Sequence, residues 1–326
     1  MDHAIRPLAA GTAFFAVLTA AHAAPNYPAQ PVRFVVTTAP GGGLDTFARL
    51  VAAELTARAG QQVIVENRPG AGTTIGTAAV AKAKPDGYTL LLNTASFAIT
   101  PAIYRKIPYD PLRDFAPITM AVFTPNLMAV HPSVPARSVK ELIALARAGA
   151  ARGDPVLYAS GGNGTNGHLA TALFLSVANV RMTHVPYKSG SLGVIDLIAG
   201  QVAMMTDSMS SLMPHVRTGR LRALGVTSAQ RAAAAPAIPT VAEAGVPGCE
   251  SAQWYGLFAP AGTPQEILAW LHKEAVAILR TGSVRDRLAA DGLEVVASTP
   301  EEFAAAIRTD IAKWTKVVTA IGMERM

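Results

Sequence analysis

What most limits the folds open to this chain is an alternation. From Val32 onward, short runs rich in β-branched residues are separated by longer Ala- and Leu-rich stretches, the pattern of a mostly parallel sheet covered by helices. Strands are expected at 32–38, 62–66 and 88–93, with helices at 44–59 and 73–83 between them. The rhythm then repeats: a helix at 139–149, a strand at 156–160, a helix at 165–178 and a strand at 182–185. A helix at 192–199, a strand at 202–206, a helix at 210–217 and a strand at 221–227 follow. The last part reads as helices at 265–280 and 284–290, a strand at 293–296 and a long helix from Pro300 to about Ile321. Thr299-Pro300-Glu301-Glu302 gives that helix a capping residue, a proline at its first position and early acids.

Proline marks where the rhythm breaks. Pro125, Pro132 and Pro135 bracket an apolar stretch at 126–130, and Pro260 and Pro264 follow one at 254–258, so both read as extended segments between helical regions. Two such crossings imply a chain that leaves one lobe, builds a second and returns. The expected division is lobe 1 from residues 24–125 plus 259–326 and lobe 2 from residues 126–258. A ligand cleft is then expected between the lobes. Trp254, Tyr255 and Phe258 read first as core joining the lobes and second as a cleft wall.

Residues 1–23 read as an export signal. Asp2, His3 and Arg6 precede a charge-free run from Leu8 to Ala20, and Ala21-His22-Ala23 has the small-x-small spacing of a cleavage site. The run is shorter than the ~20 residues that span a membrane, so periplasmic release after cleavage near Ala23 is expected. The single cysteine, Cys249, excludes an internal disulfide and a thiolate metal site. Lys and Arg number 28 against 22 Asp and Glu, a formal charge of +6. They are scattered rather than striped, which favours small anions over nucleic acid as partners.

Three loops at the carboxyl ends of expected strands carry the candidate chemistry, because open α/β sheets bind ligands there. In Ala39-Pro40-Gly41-Gly42-Gly43-Leu44-Asp45, Gly42 and Gly43 let a ligand approach the backbone, and the helix start behind them presents unpaired N–H groups to an anion. Asp45 serves either the helix dipole or the ligand. In the second loop Gly162, Gly164 and Gly167 satisfy G-x-G-x-x-G between a strand and a helix. The acid about 20 residues on that holds a ribose is missing, and Pro186-Tyr187-Lys188 stands there instead. An anion cradle of Gly162, Asn163, Gly164 and Thr165 is therefore preferred to a dinucleotide site, with His168 beside it as an orienter or donor. The third loop offers Thr94 and Ser96. Tyr187 and Asp207 end two further strands, Asp207 and Ser208 being either site residues or helix caps.

Catalytic patterns are sparse. Neither G-x-S-x-G nor a P-loop is present, and the mature histidines show no helical metal spacing, so no cofactor or metal is expected. An exported enzyme using His168, Asp45 or Asp207 as acid or base remains the alternative to a binding protein.

At these residues the sequence resembles the Bug family of extracytoplasmic solute receptors of tripartite tricarboxylate transporters. The matching stretches include Ala39-Pro-Gly-Gly-Gly43, Val65-Glu-Asn-Arg-Pro-Gly-Ala-Gly72, Pro85-Asp-Gly-Tyr-Thr-Leu90 and Ile107-Pro-Tyr-Asp-Pro-Leu112. Asp114-Phe-Ala-Pro117, Gly162-Asn-Gly164, His184-Val-Pro-Tyr-Lys188, Pro239-Thr-Val-Ala-Glu-Ala-Gly245 and Gly256-Leu-Phe-Ala-Pro-Ala-Gly262 follow in family order. The resemblance implies a type II-like periplasmic binding protein fold of two α/β lobes joined by two crossover strands. It implies a non-catalytic, monomeric receptor that closes on a small organic carboxylate and delivers it to membrane permease subunits. A receptor that signals to a sensor is the other form it can take. Carried onto this chain, the family's carboxylate-holding loops fall on Gly42, Gly43 and Asp45 and on Gly162, Asn163, Gly164 and Thr165.

Overall fold

The structure, a computed structural model, describes residue 1 and residues 27–326. Apart from Met1, the expected export segment and its cleavage point lie outside the described residues. The first sheet opens with β1 (Val32–Val36), α1 (Gly43–Ala59), β2 (Val63–Asn67), α2 (Thr74–Ala81), β3 (Thr89–Thr94) and α3 (Ser96–Ile103). β2, β1 and β3 lie side by side and parallel, as the alternation requires. β1 and β3 are almost wholly buried because helices cover both faces of the sheet.

Next comes β4 (Phe115–Val130), where the sequence reading saw only a short extended piece at 126–130. Sixteen residues at ~3.3 Å each reach from one sheet into another. Its prolines sit where a missing N–H is tolerated: the pairing slips beside Pro117, and Pro125 is the last residue to pair in the first sheet. From Asn126 onward the strand pairs in the second.

That second sheet is built from α4 (Val139–Arg152), β5 (Leu157–Ser160), α5 (Asn166–Ala178), β6 (Thr183–Pro186), α6 (Gly190–Ile198), β7 (Met204–Ser208), α7 (Met209–Arg217) and β8 (Arg222–Val226). β5 is parallel to β6 and to β7, whereas β4 runs antiparallel to β7 and β8. The chain returns through β9 (Ala252–Pro260), followed by α8 (Gln265–Arg280), α9 (Gly282–Ala290), β10 (Glu294–Val295) and α10 (Pro300–Ala320). β9 is antiparallel to β3 and to the Phe115–Pro125 half of β4. Each sheet is thus parallel along one side, β2-β1-β3 in the first and β7-β5-β6 in the second, and antiparallel along the other, so the mostly parallel reading holds only for those strands.

Four apolar clusters fill the two faces of each sheet. In the first sheet Phe47, Leu55, Leu271 and Ile278 cover one face, and Phe97, Phe258, Phe303 and Ile307 the other. In the second, Leu142 and Phe174 oppose Leu197 and Leu212. A fifth cluster joins the lobes: Leu169 of α5 packs with Ile99 and Ile103 of α3 and with Trp314 and Val318 of α10. The alternation reading had no element at α3, whose sequence carries Pro101. Every residue of α3 except Pro101 is buried, so burial overrides weak intrinsic propensity.

Candidate functional site

Six helices point their N-termini at one cavity. From the first lobe come α1, with Gly42 and Gly43, α2, with Thr73, and α3, with Ser96. From the second come α5, with Thr165 and Asn166, α6, with Ser189 and Gly190, and α7, with Ser208 and Ser211. None of the six has a side-chain cap, whereas α4 and α10, which start elsewhere, are capped by Ser138 and Thr299. Uncapped first turns leave N–H donors and the positive end of the helix dipole directed at the cavity. Its volume is about 50 Å³; one water takes about 10–15 Å³ on this scale. The lobes therefore meet around room for a small solute, and no dinucleotide fits between them.

Closure is held by bonds across the gap. Gly43 N–H donates to Ser211 Oγ at 3.3 Å, Ala39 N–H to Ser189 Oγ at 3.0 Å and Asn166 N–H to Ser96 Oγ at 3.1 Å. Tyr104 OH donates to the Asn163 carbonyl at 3.2 Å. Tyr255, wholly buried on β9, lies 2.8 Å from Ser210 Oγ and 3.1 Å from Ser208 Oγ. Gly43 is where the lobes come closest. A Cβ there would stand 2.6 Å from Tyr255 OH and closer still to Ser210 Oγ, a space only glycine leaves open. Gly42, by contrast, has ordinary room for a side chain.

The expected residues fall into two groups. Gly42, Gly43, Thr94, Ser96, Thr165 and Asp207 border the cavity. Asp45, Gly162, Asn163, Gly164, His168 and Tyr187 stand behind it. Asp45 is buried, accepting from Gly41 N–H at 2.9 Å, Arg49 Nε at 3.0 Å and Asn67 Nδ2 at 2.8 Å. Burial opposes its ionisation, but Arg49 with the Gly41 and Asn67 donors outweighs that and holds it below the usual carboxylate range. Its two oxygens are engaged in shaping the glycine loop.

His168 does comparable work in the second loop. Its Nδ1 accepts the Gly164 N–H at 3.3 Å, so the ring is neutral with its proton on Nε2. It stacks on His184 with centroids 4.2 Å apart, and His184 stacks in turn on Tyr158. Burial pushes His168 down to about 3, with His184 adding to the shift, and pushes His184 down to about 4. Gly162 and Gly164 hold positive φ values of 113° and 79°, so these glycines serve the turn itself. Asn163 contributes its carbonyl to Tyr104, and Tyr187 OH donates to Asp196 at 2.6 Å.

Asp207 differs from Asp45 in every respect. Oδ1 accepts from Ser208 N–H at 2.7 Å, the sole hydrogen bond of this carboxylate among the described residues. Burial lifts it to about 6, against the pull of that N–H.

Several wall residues were missed in the sequence. Thr73 closes a loop after β2, and the rule that pointed to the other strand ends would have found it. Gln253 could not be found that way, because it sits within β9 and only the pairing of β9 with β3 and β4 turns it inward.

The sequence pattern described as "Tripartite tricarboxylate transporter family receptor" matches residues 47–323. The chain belongs to this receptor family. Among solved structures, the receptor is similar to the periplasmic binding protein BugD, at 33% identity and a TM-score of 0.88, over 92% of this chain and 100% of that one. It is similar to Rpa4515 of R. palustris, solved with adipate, at 36% identity and a TM-score of 0.87 over the same shares. MatC of Rhodopseudomonas palustris, solved with bound malate, is 31% identical with a TM-score of 0.85, over 90% of this chain and 100% of that one. The two-lobed receptor fold expected from the sequence is thereby shown. No helix among the described residues is long and apolar enough to cross a membrane.

Proposed function

We propose that this protein is an exported periplasmic receptor that captures a small organic carboxylate between its lobes and hands it to the permease subunits of a tripartite transporter. The observation that carries this is the meeting of six uncapped helix N-termini, three from each lobe, on one small cavity. Such ends bind anions through backbone donors and dipoles without requiring a basic side chain. The adipate and malate held by two relatives support the carboxylate class. On this reading Gly42, Gly43, Thr94, Ser96, Thr165 and Asp207 meet the ligand or its bridging waters. Asp45, Gly162, Asn163, Gly164, His168 and Tyr187 hold the loops in shape.

On this reading the lobes divide at Pro125/Asn126 and at Ser251/Ala252, with residues 252–258 in lobe 1 rather than lobe 2, a division that the strand pairing supports. The chain works as a monomer without turnover, delivered by cleavage near Ala23. A ligand touching both lobes favours the closed state by its extra contacts there, and that state presents both lobes together to the permease.

The test is a thermal-shift screen of the purified protein over small mono- and dicarboxylates. At a concentration 100-fold above Kd, a binding acid stabilises by about 2.7 kcal/mol, and the acid is recovered unchanged. Stabilisation by sugars or cationic amines alone overturns the proposal, and conversion of the ligand overturns its non-catalytic part.

A further inference from the structure

Tyr104 reaches from the end of α3 to the glycine loop of the second lobe, and the residues after α10 hold it from behind. Arg325 Nη2 donates to the Pro101 carbonyl at 2.9 Å and to the Tyr104 carbonyl at 2.8 Å. Met326 N–H donates to the Ile103 carbonyl at 2.9 Å, and Arg105 N–H to the Met326 backbone oxygen at 2.6 Å. Arg105 Nε closes the set by donating to the Arg325 carbonyl at 2.9 Å. These donors take carbonyls that a helix end leaves unpaired, and a guanidinium there also meets the negative end of the helix dipole. Arg325 is itself exposed, so what it fixes is the backbone on either side of Tyr104. Ile321, Met323 and Tyr104 pack together against the apolar cluster that joins the lobes.

At its far end the Tyr104 ring lies between two glycines. A Cβ on Gly164 would stand 3.1 Å from Tyr104 Cε2, and one on Gly72 would stand 3.2 Å from its hydroxyl and run into the Asn163 carbonyl. The hydroxyl donates to that carbonyl across the gap. Each of the other closure bonds described above has a partner on the cavity wall, namely Gly43 with Ser211, Ser189, Ser96 with Asn166, or Tyr255. Tyr104 and Asn163 both stand off that wall, so a ligand in the cavity neither replaces their bond nor adds to it. On the reading of this protein as a receptor that closes on a ligand, we propose that Tyr104 is a latch between the lobes and that Arg325 is its positioning residue. Together they set how fast the lobes part, whatever the cavity holds. Loss of the latch then shifts the balance toward the open state by the same factor for every occupant, because the lost contact is common to all of them.

Stopped-flow release of malate, adipate, succinate and glutarate from the full-length protein tests this. Tyr104→Phe removes only the hydroxyl and is expected to speed release of each acid that binds by about 2- to 12-fold, the worth of one hydrogen bond, with association rates within about twofold. Arg325→Ala, an exposed change that covers the case in which Tyr104→Phe fails to fold, should speed release within the same range. The two changes combined should release no faster than Tyr104→Phe alone, because Arg325 acts through Tyr104. Arg325→Lys, which keeps a charged donor, should recover part of the loss. Unchanged release in Tyr104→Phe, or factors that differ more than about threefold between acids, overturns the latch. An inert Arg325→Ala, or effects that multiply in the double variant, overturns the positioning role. If no acid binds, it is the carboxylate reading that fails, and the latch is judged in the ligand-free protein from the distance between spin labels at Ala57→Cys on α1 and Ser176→Cys on α5. Both positions are exposed and the native Cys249 is buried. Tyr104→Phe and Arg325→Ala are each expected to lower the closed-to-open ratio by the same 2- to 12-fold, and equal ratios in wild type and variants overturn the proposal.

Discussion

At the scale of single residues, neighbouring glycines do different work. Gly42 and Gly43 read alike in the sequence, yet only Gly43 lies where the second lobe excludes a Cβ. Overpacking of this kind costs roughly 1–3 kcal/mol, and each 1.4 kcal/mol is tenfold in affinity. Gly43→Ala is therefore expected to weaken ligand binding by about 5- to 150-fold while the ligand-free melting temperature changes little. Gly42→Ala should leave affinity within about twofold, since its Cβ meets nothing closer than 3.6 Å. Titration calorimetry on the pair decides it: equal losses in both would contradict the close approach. The two aspartates separate in the same way, Asp45 engaged by three donors and Asp207 by one.

Among the elements, helix ends are divided between stability and binding. α10 begins with a full capping box, Glu302 N–H donating to Thr299 Oγ1 at 3.2 Å and Thr299 N–H to Glu302 at 2.9 Å. This end is remote from the cavity wall, and its cap serves the helix that carries Phe303, Ile307 and Trp314 into the core. Thr299→Ala is expected to destabilise the protein by about 1 kcal/mol with ligand affinity unchanged, as measured by denaturant melts and calorimetry. A loss of affinity would mean that α10 transmits strain to the site through its packing on α3. The six helices at the cavity forgo such caps, leaving their first-turn donors to the opposite lobe and to the cavity.

At the scale of the whole molecule, proton balance sets how stability depends on pH. Burial lowers His168 and His184 to about 3 and 4. Their contribution is thus complete above the unfolded value near 6.5 and is lost as pH falls toward 4, because the unfolded chain takes up protons that the folded one refuses. Asp207, raised to about 6, acts in the opposite sense between about 6 and 4. His215, also lowered by burial, adds to the histidine effect, and Asp310, raised by burial, offsets it. Two histidines against one carboxylate leave the histidines dominant, and Asp45, held low by its donors, adds to them as pH nears 4, so stability should fall between pH 6 and 4. Melting temperatures across that range check this: His168→Phe flattens the fall and Asp207→Asn steepens it. A melting temperature that holds steady or rises on acidification would refute the balance.

The sequence by itself determined most elements, the two-lobed class and the strand-end loops, because periodicity, caps and glycine or proline positions act over a few residues. It identified Gly42, Gly43, Thr94, Ser96, Thr165 and Asp207 as candidates, all of which border the cavity. It could not say that Asp45 and His168 face their own loops, since both depend on where Arg49, Asn67 and His184 come to rest. Nor could it find Gln253, or α3 with its internal proline. A strand residue's face and a weak helix's survival are settled by what packs against them. Closure of two lobes from distant parts of the chain turned separate helix ends into one site, and that convergence exists only in the tertiary structure.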